Sequence, residues 1–69
     1  MELSARNQLQ ATVKSLKFGE VMAEVVVTLR NGDEVVSVIT AESARRLGLK
    51  EGSPVIAVVK STEVLLATP

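Results

Sequence analysis

The chain has no cysteine, no histidine, no tryptophan and no tyrosine, and its one aromatic residue is Phe18. Each absence removes a class of function. Without cysteine no disulfide can staple a small domain, and without cysteine and histidine no structural zinc site of the usual kind can form. The same absences leave no ordinary base for a nucleophile, and no serine sits in a Gly-x-Ser-x-Gly elbow. A single phenylalanine offers almost nothing on which unpaired bases could stack. An excess of one charge is missing too: 8 lysines and arginines balance 8 acidic residues, for a net charge of zero. A neutral chain has no basic surplus with which to displace counterions from a phosphate backbone, so nucleic acid is not the expected partner. The longest strictly apolar run, Val55 to Val59, falls far short of the ~18 residues of a membrane span. The N-terminal MELSARNQ lacks the basic and apolar regions of a signal peptide, so a cytoplasmic protein with no membrane partner is expected. The carboxylates are scattered over turns and polar strand positions without a pairing motif, so neither catalysis nor a direct cation site is expected.

What is present is apolar surface. In 69 residues, 46% are hydrophobic, which is generous for one small domain spanning residues 1–69. A chain this short buries only ~60% of its unfolded surface, so its isolated core is marginal. The surplus therefore points to burial against further copies of the chain.

The apolar residues follow a strand period for more than half the sequence. Leu9, Ala11 and Val13 point one way, while Gln8, Gln10, Thr12 and Lys14 point the other. After a turn at Lys17-Phe18-Gly19-Glu20, Val21, Ala23, Val25, Val27 and Leu29 continue the alternation. Asn31-Gly32 is a strong hairpin signal, because both central residues tolerate positive φ. A third strand is expected from about Glu34 to Ile39. The period then changes: Thr40 is placed to cap a two-turn helix that Gly48 ends. A turn at Lys50–Pro54 leads to a fourth strand, Val55–Val59, and Val64–Ala67 is expected to form a short fifth. The sum is an all-β chain with one short helix, matching a five-stranded OB-like Greek-key barrel. Strands four and five are apolar on both faces, which again predicts a covering subunit.

Hydrogen-bond donors gather at the ends of these elements. Ser4, Arg6 and Asn7 precede the first strand, Thr40 and Ser43 open the helix, and Lys60, Ser61 and Thr62 follow the fourth strand. Helix N-termini favour anions, and loops on a rigid barrel are where binding residues concentrate. Each cluster also has a plainer reading: Ser4 begins a strand, Thr40 caps a helix, and Lys60-Ser61-Thr62 turns the chain. No carboxylate interrupts the donors except Glu42, which a helix can turn outward.

Two of these clusters carry a resemblance. Ser4-Ala5-Arg6-Asn7-Gln8-Leu9, together with Val59-Lys60-Ser61-Thr62, is similar to the molbindin family, small molybdate-binding proteins of the Mop/TOBE type. The likeness covers essentially the whole chain, including Val36–Thr40 and the helix before Gly48-Leu49. Gln10-Ala11 stands where the family often has a basic residue and glycine, and Thr40 where it often has serine. The resemblance implies an OB-like homo-hexamer, a trimer of dimers, that holds oxyanions between subunits. It implies a molybdate site made by Ser4, Arg6 and the backbone N–H of Ala5, by Thr40 and Ser43, and by Lys60 and Ser61, with Asn7 and Thr62 as further candidates. It also implies a second class of site on the threefold axis, to which no residue of this sequence is assigned. Storage or homeostasis of molybdate, with tungstate as a near-isosteric second ligand, is the expected function. The competing expectation is an OB-like module for oligomerisation or regulation without a storage role.

Overall fold

The computed structural model describes residues 6–69. Four strands are formed: β1 (Asn7–Phe18), β2 (Met22–Leu29), β3 (Glu34–Thr40) and β4 (Pro54–Val59), with one helix, α1 (Ala41–Arg46), between β3 and β4. They make a single antiparallel sheet in the order β3-β2-β1-β4. The expected mostly-β fold with one short helix is therefore what the chain adopts, with four strands rather than five.

Local chemistry explains the connections. Leu29 and Asp33 close the β2–β3 hairpin through Leu29 N–H to Asp33 O at 2.7 Å, while Gly32 N–H reaches Leu29 O at 3.0 Å. Within this loop only Gly32 takes positive φ (93°), and no non-glycine residue among those described does. The loop is thus a turn followed by one left-handed glycine, not the two-residue form with both φ positive that Asn31-Gly32 predicted. Asn31 instead holds Asp33, its Oδ1 accepting from Asp33 N–H at 3.0 Å and its Nδ2 donating to Asp33 Oδ2 at 2.9 Å. Gly48 ends α1 as expected. At φ 66° it lets its own N–H reach Arg45 O and the Leu49 N–H reach Ala44 O, the paired bonds of a Schellman stop.

The strand faces follow the alternation until a bulge. Val13 pairs with Val27 and Ser15 with Val26, so Lys14 is the extra residue. One added residue reverses which positions face the core. Val13 is buried before the bulge, and Leu16, on the opposite parity, packs on the same core after it. The core itself is small, made of Val13, Ala23, Val25, Val27, Ala41 and Ala44. Val21, expected on this face, lies just before β2 and is exposed; its carbonyl accepts from Ala41 N–H at 2.7 Å and anchors the start of α1.

The sheet curls. Its two edge strands, β3 and β4, line one cleft of about 380 Å³, with Val35 and Ile39 on one side and Val55 and Ala57 on the other. The expected fifth strand does not form. Val64 is extended (φ −91°, ψ 119°), but residues 64–69 pair with none of the described strands, and Leu65 and Leu66 are each 93% exposed. An apolar, extended segment becomes a strand only against an edge, and the turn at Ser61–Glu63 does not return this one to β4.

Candidate functional site

The β1–β4 pairing joins two of the donor clusters. Asn7 is the partner of Val59, so Arg6 and Lys60 are the first residues beyond the last pair, side by side at one end of the sheet. Lys60 is extended (φ −64°, ψ 136°), and its carbonyl accepts from Glu63 N–H at 2.9 Å. That bond winds Ser61–Glu63 into one 3-10 turn, keeping Ser61 and Thr62 next to Lys60. Arg6, Lys60, Ser61 and Thr62 are exposed and Asn7 half-buried. Among the described residues the one ion pair is Lys14–Glu34, so neither Arg6 nor Lys60 is neutralised there. Like charges facing each other across strands repel. An anion between them turns that repulsion into attraction.

The third cluster lies elsewhere. Thr40 pairs with Met22, and Ala23 pairs with Phe18, so the helix start sits at the opposite end of the sheet from Asn7. The Arg45 guanidinium of α1 lies at that end too, 5.1 Å from the centre of the Phe18 ring. The twelve residues of β1, at about 3.3 Å each, separate its ends by up to about 36 Å before any bending. Thr40 does what the plainer reading expects. It is the N-cap, accepting from Ser43 N–H at 3.0 Å, and its hydroxyl meets Ser43 Oγ at 2.7 Å. With Thr40 donating, the Ser43 hydroxyl keeps its own proton for another acceptor. Ser4 and Ala5, the remaining expected contributors, lie outside the described residues.

One chain therefore unites Arg6, Asn7, Lys60, Ser61 and Thr62, and holds Thr40 and Ser43 apart from them. Two clefts among the described residues lie elsewhere: neither the 380 Å³ cleft nor a groove of about 610 Å³ over Gln10, Thr12, Thr28 and Arg30 includes Arg6, Thr40, Ser43 or Lys60. The groove, which sequence reading passed over, sets Gln10, Thr12, Thr28 and Arg30 beside the apolar Ala11, Leu29, Pro54, Val55 and Ile56. Arg30 donates to the Gln10 side-chain carbonyl across it, and no carboxylate lines it. The signal lay in the pairing of Thr12 with Thr28, visible only once the register is known. Among the described residues no group of three or more acidic side chains is placed to hold a metal cation. No described helix is long and apolar enough to cross a membrane.

Comparison with known proteins matches the TOBE domain to residues 3–66. The chain is 48% identical over 66 residues to molybdenum-pterin-binding protein 2 of Clostridium pasteurianum, covering 96% of this chain and 97% of that protein. Its fold superposes with a TM-score of 0.93 on a molybdate-binding protein from Sporomusa ovata, at 43% identity and covering 99% of this chain and 100% of that one. It also matches the cytoplasmic molybdate-binding protein ModG with molybdate bound, at a TM-score of 0.95 and 45% identity, covering all of this chain and 49% of the longer one.

Proposed function

Because this chain belongs to the TOBE domain family, as a molbindin-type member, we propose that it binds molybdate, at sites completed where subunits of a homo-hexamer meet. The observation that carries this is the pairing of Asn7 with Val59. It sets Arg6 beside Lys60, although 53 residues separate them, and leaves both without a carboxylate partner among the described residues.

The chemistry of the donor set selects the ligand. Molybdate at neutral pH is a tetrahedral dianion whose four oxygens accept hydrogen bonds and donate none. Guanidinium, ammonium and backbone N–H groups only donate, and serine and threonine hydroxyls can turn to do so. Monoprotonated phosphate carries an O–H that such a site leaves without an acceptor, which disfavours it. Sulfate has molybdate's charge and a smaller radius, so its rejection depends on cavity size. Tungstate is nearly isosteric and is expected to share the site.

Magnitude argues for more than one chain. Hydrogen bonds to charged groups contribute roughly 1.5–3 kcal/mol each. Micromolar binding requires about 8 kcal/mol net of ordering costs. Arg6, Lys60 and Ser61, joined by Ser4 and the Ala5 N–H, would give roughly 7.5–15 kcal/mol before ordering costs, and Thr40 and Ser43 of a neighbouring copy would help offset those costs. Cytoplasmic storage or homeostasis of molybdate, without catalysis, by a single domain spanning residues 1–69 is the role this composition supports.

Equilibrium dialysis of the unmodified chain against molybdate, sulfate and phosphate tests the reading. Saturable uptake of molybdate that excess phosphate leaves in place is expected. Absence of molybdate uptake would leave the oligomerisation module as the better account.

A further inference from the structure

Oxyanion binding leaves the Asn31-Gly32 pair of the β2–β3 loop unused, and that pair carries a chemistry of its own. A backbone nitrogen can attack the side-chain carbonyl of the asparagine before it. A following glycine, having no Cβ, shields that nitrogen least. Asparagine is accordingly among the heat-labile residues. Asn31, Gly32 and Asp33 are all exposed, so water reaches them. Backbone conformation rather than packing keeps glycine there: at φ 93° an L side chain is strained, although a Cβ would meet nothing within 4 Å. The turn that needs Gly32 therefore retains the reactive pair.

The folded loop occupies the atoms that the reaction uses. The nucleophile's proton is engaged, because Gly32 N–H donates to Leu29 O at 3.0 Å. Both ends of the Asn31 amide are tied to Asp33. Its Nδ2, the leaving group, donates to Asp33 Oδ2 at 2.9 Å, and its Oδ1 accepts from Asp33 N–H at 3.0 Å. We propose that Asn31 is a site of spontaneous deamidation gated by this hairpin, held in check while the loop is closed and released when it opens.

In the open loop, the Gly32 nitrogen loses its proton to solvent and bonds to Asn31 Cγ. The Cγ–Nδ2 bond breaks and ammonia leaves with a proton from solvent, closing a succinimide. Water then opens the ring at one carbonyl to give aspartate, or at the other to give isoaspartate, whose backbone runs through the former side chain. One water is consumed and one ammonia released, with no change of oxidation state. The product does not remake the lock. It lacks the Nδ2 donor and sets a second carboxylate beside Asp33, where like charges repel.

Asn7, the other asparagine of the chain, is an internal reference: the bulkier Gln8 follows it, and it pairs with Val59 in the sheet. The proposal does not depend on the oxyanion reading, because its measurements need no ligand. The full-length chain is incubated in mildly alkaline buffer, folded or in enough urea to unfold it, and mass spectrometry follows the peptides carrying Asn31 and Asn7. Conversion at Asn31 is expected to be about 10-fold or more slower in the folded chain, since the loop must first open. In urea, Asn7 is expected to lag well behind Asn31. Equal rates at Asn31 with and without urea overturn the gate, and conversion at Asn31 no faster than at Asn7 in urea overturns the site. Full-length Asp33→Ala releases Nδ2 and is expected to raise the folded-state rate by about 2- to 10-fold, the loss of one hydrogen bond. An unchanged rate removes the Asp33 carboxylate from the lock, and the urea comparison on the unmodified chain decides the gate even if that variant fails to fold.

Discussion

At the Phe18 end of the sheet, several polar groups of the helix start are occupied inside the chain. Thr40 caps Ser43, Ala41 N–H is held by Val21, and Arg45 lies over the Phe18 ring. At the Asn7 end, Arg6 and Lys60 stand together with no carboxylate partner among the described residues. The same residue classes thus serve two purposes. Where the chain satisfies its own donors, they hold the fold; where it leaves two cations adjacent, they are available to an anion. The contrast also orders the expected effects of substitution: binding should fail first at the Asn7 end, and stability elsewhere.

The sharpest way to break the comparison is at the Asn7 end. Arg6→Ala or Lys60→Ala should weaken molybdate binding by about 10- to 150-fold each, the loss of one charged hydrogen bond at roughly 1.5–3 kcal/mol. Both side chains are exposed, so the denaturation midpoint should barely move. Dialysis and a urea titration on the same samples check the two halves. Unchanged uptake by both variants would remove these residues from the site.

Next comes the core that both ends share. Val25→Ala removes two methyl groups from a residue that is 2% exposed and should cost about 2 kcal/mol. Urea unfolding measures it. Affinity under native conditions should stay close to that of the unmodified chain, because the substitution touches neither end of the sheet.

Local signals in the sequence reached about as far as local physics does. Gly48 and Thr40 bounded α1 correctly, because caps and left-handed stops are decided within a few residues. The alternation of β1 was legible only up to Lys14. The bulge there depends on how Val13 and Ser15 meet β2, which no single strand records. Local patterns left Arg6 and Lys60 in separate clusters, and only the family resemblance put them in one expected site; the β1–β4 register sets them side by side. The strand expected at Val64–Ala67 failed for a related reason. Apolar content shows that a segment must be covered, but whether its own chain supplies the cover is a matter of topology.

Thr40 is the residue on which the two ends could converge. Thr40→Ala removes the N-cap acceptor and should cost about 1 kcal/mol, read in urea, while Thr40→Ser should restore most of it. If Thr40 and Ser43 of a neighbouring subunit also face the ligand, Thr40→Ala weakens molybdate binding and Thr40→Ser does not. Equal affinity for all three chains would make Thr40 a cap alone and confine the oxyanion to the Asn7 end.

The smallest effect belongs to Phe18. Its ring and the Arg45 guanidinium are 5.1 Å apart on exposed surface, where a cation–π contact contributes roughly 0.5–1 kcal/mol. Phe18→Leu keeps apolar bulk but loses the ring face, so stability should fall by about 0.5 kcal/mol. Because α1 is also tied down by Ala41 N–H, by the Thr40 cap and by the Gly48 stop, the helix should keep its place. Amide chemical shifts of Ala41–Arg46 report this directly. Shifts confined to residues near Phe18 would mean that the helix end is held redundantly, whereas changes running through Thr40 and Ser43 would make Phe18 the principal anchor and weaken the contrast between a locked end and an open one.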